Sequence, residues 1–247
     1  MILILSSFVA SSPVGGGMQA RVLARMGFEP VLVPTVLYGR HPGLGAPGGG
    51  AVAPAVFASL LEGIAANGVL ETAQAVLCGY FADPAQVAIA AETVDAARAA
   101  SPGVTIVVDP IMGDAAGGLY VREAVAAALA TELVPRADLV CPNAFELERL
   151  SGQGIDDVRS AMQAARSLKR PVLASSVPVG ADIGVLFADP AEAWLASHQR
   201  AGEDRKGAGD LLTALFVGHR LAGARARQAL AEAVGEVAGA PVRVDPL

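Results

Sequence analysis

Short apolar segments alternate along the whole chain with longer alanine-rich ones, and no other feature limits the fold as strongly. Ile2–Leu5, Pro30–Thr35, Gln74–Cys78, Val104–Val108, Asp138–Cys141 and Pro171–Ser175 read as strands. Helical stretches lie between them: one ending near Met26, then Ala51–Ala66, Pro84 to about Ala100, Arg122–Leu133, a short one through Leu150, and Asp156–Leu168. Asp83-Pro84 is a strong start signal, with Asp as N-cap and Pro at the first helical position. Repeated strand, helix, strand predicts an α/β fold with a central, mainly parallel sheet and helices on both faces. Its crossovers are expected to be right-handed. The strands are Val- and Leu-rich runs, as strands covered on both sides should be. Gly184–Phe187 and Ala193–Ala196 predict an antiparallel pair, and two further helices close the chain. The 247 residues hold no repeat and no linker-like stretch, so one domain over 1–247 is expected.

Composition narrows the partners. Net charge is −6, which leaves no basic footprint for nucleic acid, so any phosphate site must be local. No run is long and apolar enough to span a bilayer. The opening Met1–Leu5 lacks the basic residues of a secretory leader, the first positive charge being Arg21, and is expected to be a buried strand. Cys78 and Cys141 each sit in an apolar run, as free thiols of a reduced compartment do. A cytoplasmic protein with no membrane partner is expected. Three scattered histidines and these two cysteines give no zinc spacing.

In open parallel sheets, ligands bind beyond the carboxyl ends of the strands. That rule gathers Ser7, Tyr80, Asp109, Asn143 and Ser175 on one rim. Lys206-Gly207-Ala208-Gly209-Asp210 precedes an apolar helical run, so its glycines sit where that helix starts. Free N–H groups there attract anions. Asp210 is then either a first-turn cap or a base beside a bound anion. Asp109-Pro110-Ile111-Met112-Gly113-Asp114 puts two carboxylates around a loop at a strand end, as Mg²⁺ sites near phosphates do. A turn in which Asp109 satisfies loop amides has the same pattern. Asn143 and Glu146 have capping-box spacing, although Glu146 could instead reach a metal-bound water. Gly15-Gly16-Gly17-Met18-Gln19-Ala20 matches G-x-G-x-x-A, but the acidic partner expected after the second strand is missing, where Pro34-Thr35-Val36 stands. No P-loop occurs. The segment from Val36 to Gly50, with five glycines in its last eight residues, is too long for a plain connector, and its His41 can touch a substrate.

Taken together these pieces resemble the ribokinase-like superfamily and, within it, the pyridoxal kinase family. The matching residues are Leu5-Ser6-Ser7-Phe8-Val9 with Val14-Gly15; Thr35 to Gly45; Gly79-Tyr80 with Asp83; Asp109–Asp114; Leu119-Tyr120-Val121; Asp138, Pro142-Asn143 and Phe145-Glu146-Leu147; Ser175-Ser176; and Gly207–Asp210. The resemblance implies that Asp210 activates the hydroxymethyl oxygen of pyridoxal. The amides of Gly207, Ala208 and Gly209 would form the anion hole for the transferring phosphate. Ser7 and Tyr80 would hold the pyridine ring, with Val14, Tyr38 and His41 lining the pocket. Asp109, Asp114, Asn143 and Ser175 would serve ATP, and Asp109 and Glu146 would arrange Mg²⁺, with a monovalent cation such as K⁺ beside it. A homodimer and a substrate-covering flap over 36–50 are implied as well. The chain departs from the family pattern at Pro42, Cys141, Ala174, Lys206 and Ala208. Two rivals are a hydroxymethylpyrimidine kinase of the same superfamily and a non-catalytic ligand-binding protein on this fold.

Overall fold

The computed structural model describes residues 1–199 and 206–247. The chain begins with β1 (Ile2–Val9), α1 (Gly15–Arg25) and β2 (Pro30–Tyr38), followed by the short β3 (Gly49–Ala51), α2 (Pro54–Ala66) and α3 (Val69–Thr72). Next come β4 (Ala75–Cys78), α4 (Pro84–Ala100) and β5 (Thr105–Val108). A two-stranded hairpin, β6 (Gly113–Asp114) and β7 (Gly118–Leu119), precedes α5 (Glu123–Ala128), β8 (Leu139–Val140), α6 (Ala144–Ser151) and α7 (Val158–Ser167). The remainder is β9 (Val172–Val179), β10 (Asp182–Ala188), β11 (Ala193–His198), α8 (Ala208–Leu221), α9 (Ala226–Ala238) and β12 (Arg243–Pro246).

Ten strands form one sheet in the order β12-β11-β10-β9-β8-β5-β4-β1-β2-β3. The stretch from β9 to β2 is parallel, as predicted, and antiparallel strands extend both ends. Alternate residues of β1 enter different cores. Ile2 and Ile4 pack with α1, α8 and α9, whereas Leu3 and Leu5 pack with α2, α4 and α5. Helices therefore cover both faces, and the sheet is buried between them. The strand order reverses at β1, which has β2 on one side and β4 on the other. Such a reversal opens a crevice at the carboxyl ends of the two strands, where an open sheet binds its ligands.

Several boundaries differ from the sequence reading. β1 continues to Val9 instead of ending at Leu5, because Ser6, Phe8 and Val9 pair with β2 across a register shift. The polar Ser6-Ser7 pair hides that continuation. The segment 36–50 is not a plain loop: it contains the end of β2, a 3₁₀ turn at Pro42–Leu44, and β3, which pairs back on Val36–Tyr38. The helix expected over Arg122–Leu133 is α5 followed by a π-type turn at Leu129–Leu133. β12, whose Arg243, Val244 and Asp245 pair with β11, went unpredicted.

Candidate active site

The end of β1, the start of α1 and the start of α8 meet at a few atoms. Gly207 is the N-cap of α8, in a left-handed conformation (φ 83°) and with no side-chain cap bond. A Cβ there would lie 2.5 Å from the Pro13 carbonyl oxygen, so only glycine fits. Gly209 differs. Its backbone is helical, and a Cβ on it would meet nothing within 4 Å. Neither dihedral nor packing requires glycine at 209.

Asp210 follows, and it does not cap its own helix. Its Oδ2 accepts a hydrogen bond from the Gly15 amide at 2.8 Å, at the start of α1. The residue as a whole is half-buried, but Oδ1 is out of solvent and has no partner. Burial raises the carboxyl pKa to about 6, against the pull of the Gly15 amide. Gly15 itself has φ 61°, and a Cβ would strike Ser7 Oγ at 2.0 Å. The glycines that resembled a dinucleotide motif thus let α1 start against Ser7 and aim an amide at Asp210. Val14, also in the expected pocket, lies against Gly207.

Asp109 stands at the end of β5, 6% exposed, and its Oδ2 accepts from Thr213 Oγ1 at 2.9 Å. Thr213 lies one turn beyond Asp210 on α8, so a single helix carries the proposed base and the anchor of the neighbouring carboxylate. Burial, then the charges of Asp210 and Glu146, hold the Asp109 carboxyl well above its ordinary range, while the Thr213 hydroxyl opposes them. Cys141 is buried beside Asp109 and Thr213, and burial pushes its thiol up.

Glu146 completes the capping box, accepting from Asn143 N at 2.8 Å through Oε2. Its Oε1 accepts from Met112 N at 2.9 Å and Gly113 N at 3.4 Å. Both oxygens are thus occupied by backbone amides, which ties the Asp109–Asp114 loop to the start of α6. Burial raises the Glu146 pKa to about 7 despite those bonds. The Asn143 side chain accepts from Glu146 N and donates to the Gly113 carbonyl at 2.8 Å. Asn143 also bridges Ser175. There β9 bulges: Ser176 takes a left-handed φ of 60°, and the pairing with β10 shifts register. Bulges of this kind re-aim side chains beside functional sites. Asp114 sits in the β6–β7 hairpin and accepts from the amides of Ala116 and Gly117.

The residues expected to hold the acceptor lie on the Tyr80 loop and the β2–β3 hairpin. The Tyr80 amide donates to Ser6 Oγ at 3.2 Å. Burial and the neighbouring Tyr38 phenol raise the Tyr80 pKa. His41 caps the 3₁₀ turn, its Nδ1 accepting from Gly43 N at 3.0 Å, which leaves Nε2 as its free ring position. Burial, and then the charge of Lys206, lower its pKa. Sequence reasoning assigned no role to Gly15, Thr213 or Tyr120. The Tyr120 phenol has its pKa raised by burial and by Glu146, Asp114, Asp109 and Asp210. Only the Leu119-Tyr120-Val121 match hinted at it.

The sequence model of a family described as phosphomethylpyrimidine kinase matches residues 55–241. The chain is 37% identical over 244 residues to "Pyridoxal kinase PdxY" of Deinococcus radiodurans, covering 93% of this chain and 82% of that one. It is 35% identical to a "Pyridoxine/pyridoxal/pyridoxamine kinase" of Bordetella avium, over 92% of this chain and 79% of that one. Among solved structures it is similar to a pyridoxal kinase from Leishmania donovani in complex with ADP, with a TM-score of 0.89 and 26% identity, over 96% of this chain and 84% of that one. Glycine-bounded helix start, matched family and relatives agree: the chain belongs to the pyridoxal kinase family of the ribokinase-like fold.

Proposed function

We propose that this protein phosphorylates the 5′-hydroxymethyl group of pyridoxal and related B6 vitamers, using ATP, with Asp210 as the base. One observation carries the assignment of the base. Asp210 spends one oxygen on a different element, Gly15, and keeps the other unpartnered beside the Gly207–Gly209 turn. A cap would have bonded its own helix. The names of the relatives supply the substrate class, and the ADP complex of the Leishmania protein supports a nucleotide co-substrate.

The chemistry follows from the arrangement. The vitamer hydroxyl oxygen forms a bond to the γ-phosphorus, and the bond from that phosphorus to the β-bridging oxygen breaks. The hydroxyl proton passes to Asp210 Oδ1, and ADP leaves. The amides of Gly207, Ala208 and Gly209 receive the charge on the transferring group, and a helix start suits that task. Ser7, Tyr80, Tyr38, Val14 and His41 orient the ring so that the hydroxyl points at the turn. Asp109, Asp114, Asn143 and Ser175 face the phosphate side.

Among the described residues no group of three His, Cys, Asp or Glu side chains is placed to hold a resident metal ion. That suits Mg²⁺, which is commonly bound through one or two carboxylates plus substrate phosphates. Asp109 would hold it through the oxygen Thr213 leaves free, with K⁺ or a similar ion beside it. Glu146 would act through water or by shaping the Met112–Gly113 loop. When bound, Mg²⁺ supplies neutralising charge for the phosphates. We further propose a homodimer. Val56 and Leu60 on α2 are among the exposed apolar residues that could serve it.

A coupled assay of ADP release, run with pyridoxal, pyridoxine, pyridoxamine and hydroxymethylpyrimidine, tests the reading. Turnover with a B6 vitamer and its loss in excess EDTA are expected. The description of the matched family model keeps hydroxymethylpyrimidine in the panel. Turnover with that acceptor alone would make it the substrate instead.

A further inference from the structure

Gln86 lies in the first turn of α4 and is completely buried. Its carboxamide satisfies three backbone groups from three separate segments. Oε1 accepts from Ala82 N at 3.1 Å, and Nε2 donates to the carbonyls of Thr35 at 2.9 Å and Val52 at 2.7 Å. Ala82 ends the loop that presents Tyr80. Thr35 and Val52 flank the root of the β2–β3 hairpin, one residue outside its first pair, Val36 and Ala51. They are bonded to each other through Val52 N and Thr35 O at 2.9 Å. Thr35 Oγ1 then donates to the Tyr80 carbonyl at 2.6 Å. The hairpin root and the Tyr80 loop therefore share one joint.

Nothing in the packing of α4 calls for an amide here, since an apolar residue of like volume would fill the same space. Burying a carboxamide is costly unless both its ends are bonded, and here they are. What the amide adds is a fixed relation between the hairpin root and the Tyr80 loop, beyond the bond made by the Thr35 hydroxyl. Tyr38 rides on the hairpin and Tyr80 on the loop, with the Tyr38 phenol beside that of Tyr80.

We propose that Gln86 is a positioning residue of the acceptor pocket: with Thr35 it locks the root of the flap to the Tyr80 loop, fixing where Tyr38 and Tyr80 stand relative to each other when the vitamer ring binds. The flap then moves above this joint and not at it. This inference rests on the vitamer reading of the pocket.

Gln86→Met keeps the volume and removes all three bonds. The vitamer KM should rise about tenfold or more, while kcat and the KM for ATP stay within about twofold, the pattern of lost ground-state positioning. Thr35→Val removes only the hydroxyl bond to Tyr80. It should raise the same KM about threefold and couple non-additively with Gln86→Met, because both act on one joint. Amide exchange at Val52 and Ala82 should quicken in Gln86→Met, with that of α8 unchanged. An equal rise in both KM values, or an unchanged vitamer KM, would overturn the proposal. Should Gln86→Met fail to fold, Thr35→Val decides: no effect on vitamer KM overturns it. A wild-type protein that phosphorylates no vitamer would refute the substrate reading, and unchanged exchange at Val52 and Ala82 would separately refute the joint.

Discussion

A primary alcohol attacks phosphorus poorly until its proton has an acceptor, and Asp210 is the acceptor proposed. Asp210→Asn keeps the shape, and its amide oxygen can still accept from Gly15. The proton acceptor alone is lost, so kcat should fall by about 10²-fold or more. Nucleotide affinity should hold or improve, because a negative charge beside the phosphates has gone. Stability at neutral pH should rise, since the ionised carboxylate is held in a site that disfavours it. Near-normal turnover in a steady-state assay would show that another group takes the proton. Tyr80 makes a second prediction at this scale. Tyr80→Ala removes an aromatic contact of about 1 kcal/mol and should raise the vitamer KM far more than that for ATP. Parallel changes in both would make Tyr80 scaffold.

At the scale of the element, the start of α8 separates two glycines that look alike in sequence. Gly207→Ala forces a left-handed residue to carry a Cβ 2.5 Å from the Pro13 carbonyl oxygen. It should cost about 1–3 kcal/mol of stability, measured by denaturant unfolding. Gly209→Ala meets nothing and improves helix propensity, so stability should hold or gain up to about 1 kcal/mol. In the proposed anion hole its methyl group would crowd the transferring phosphate, and kcat/KM should drop by about 10²-fold, comparable to a damaged oxyanion site. A Gly209→Ala enzyme of normal activity would mean that phosphate does not bind there. The same element shows what the sequence could and could not reveal. Alternating apolar runs made the parallel sheet legible, and a glycine pair before an apolar helix made the turn legible. The partner of Asp210 was not, because Gly15 lies on another element 195 residues away and its glycine cluster mimics a dinucleotide motif. Thr213 was hidden as well: a threonine inside an apolar helix shows its role only when Asp109 is seen beside it. For Glu146 the capping spacing was right, but its bonds to Met112 and Gly113 depend on a loop whose path no local pattern encodes.

Over the whole molecule, the site gathers negative charge that the fold does not neutralise, and this should be visible in stability. Asp210 titrates at about 6 in the folded protein against 3.8 ordinarily, and Glu146 at about 7 against 4.5. Asp109 is displaced in the same direction. For each, the folded state binds more protons than the unfolded state between the two values. Stability therefore falls as pH rises through that window. The destabilisation sets in above the ordinary carboxylate values, grows as pH rises through about 6 for Asp210 and about 7 for Glu146, and is relieved on acidification. A tenfold change in proton affinity is worth about 1.4 kcal/mol, so Asp210 alone accounts for roughly 3 kcal/mol at neutral pH. The ligand-free protein should melt about 5 °C or more higher at pH 5.5 than at pH 8, the scale expected of a few kcal/mol in a chain of this size. Asp210→Asn should flatten that slope. Nucleotide with Mg²⁺ should raise Tm more at pH 8 than at pH 5.5, because the carboxylates it engages are ionised there. Scanning calorimetry across this range, with and without Mg²⁺ and nucleotide, checks all three. A Tm that climbs steadily from pH 5.5 to 8 in the ligand-free protein would show that these carboxylates are stabilised in the fold, and the case for a cation-seeking site would lose its physical basis.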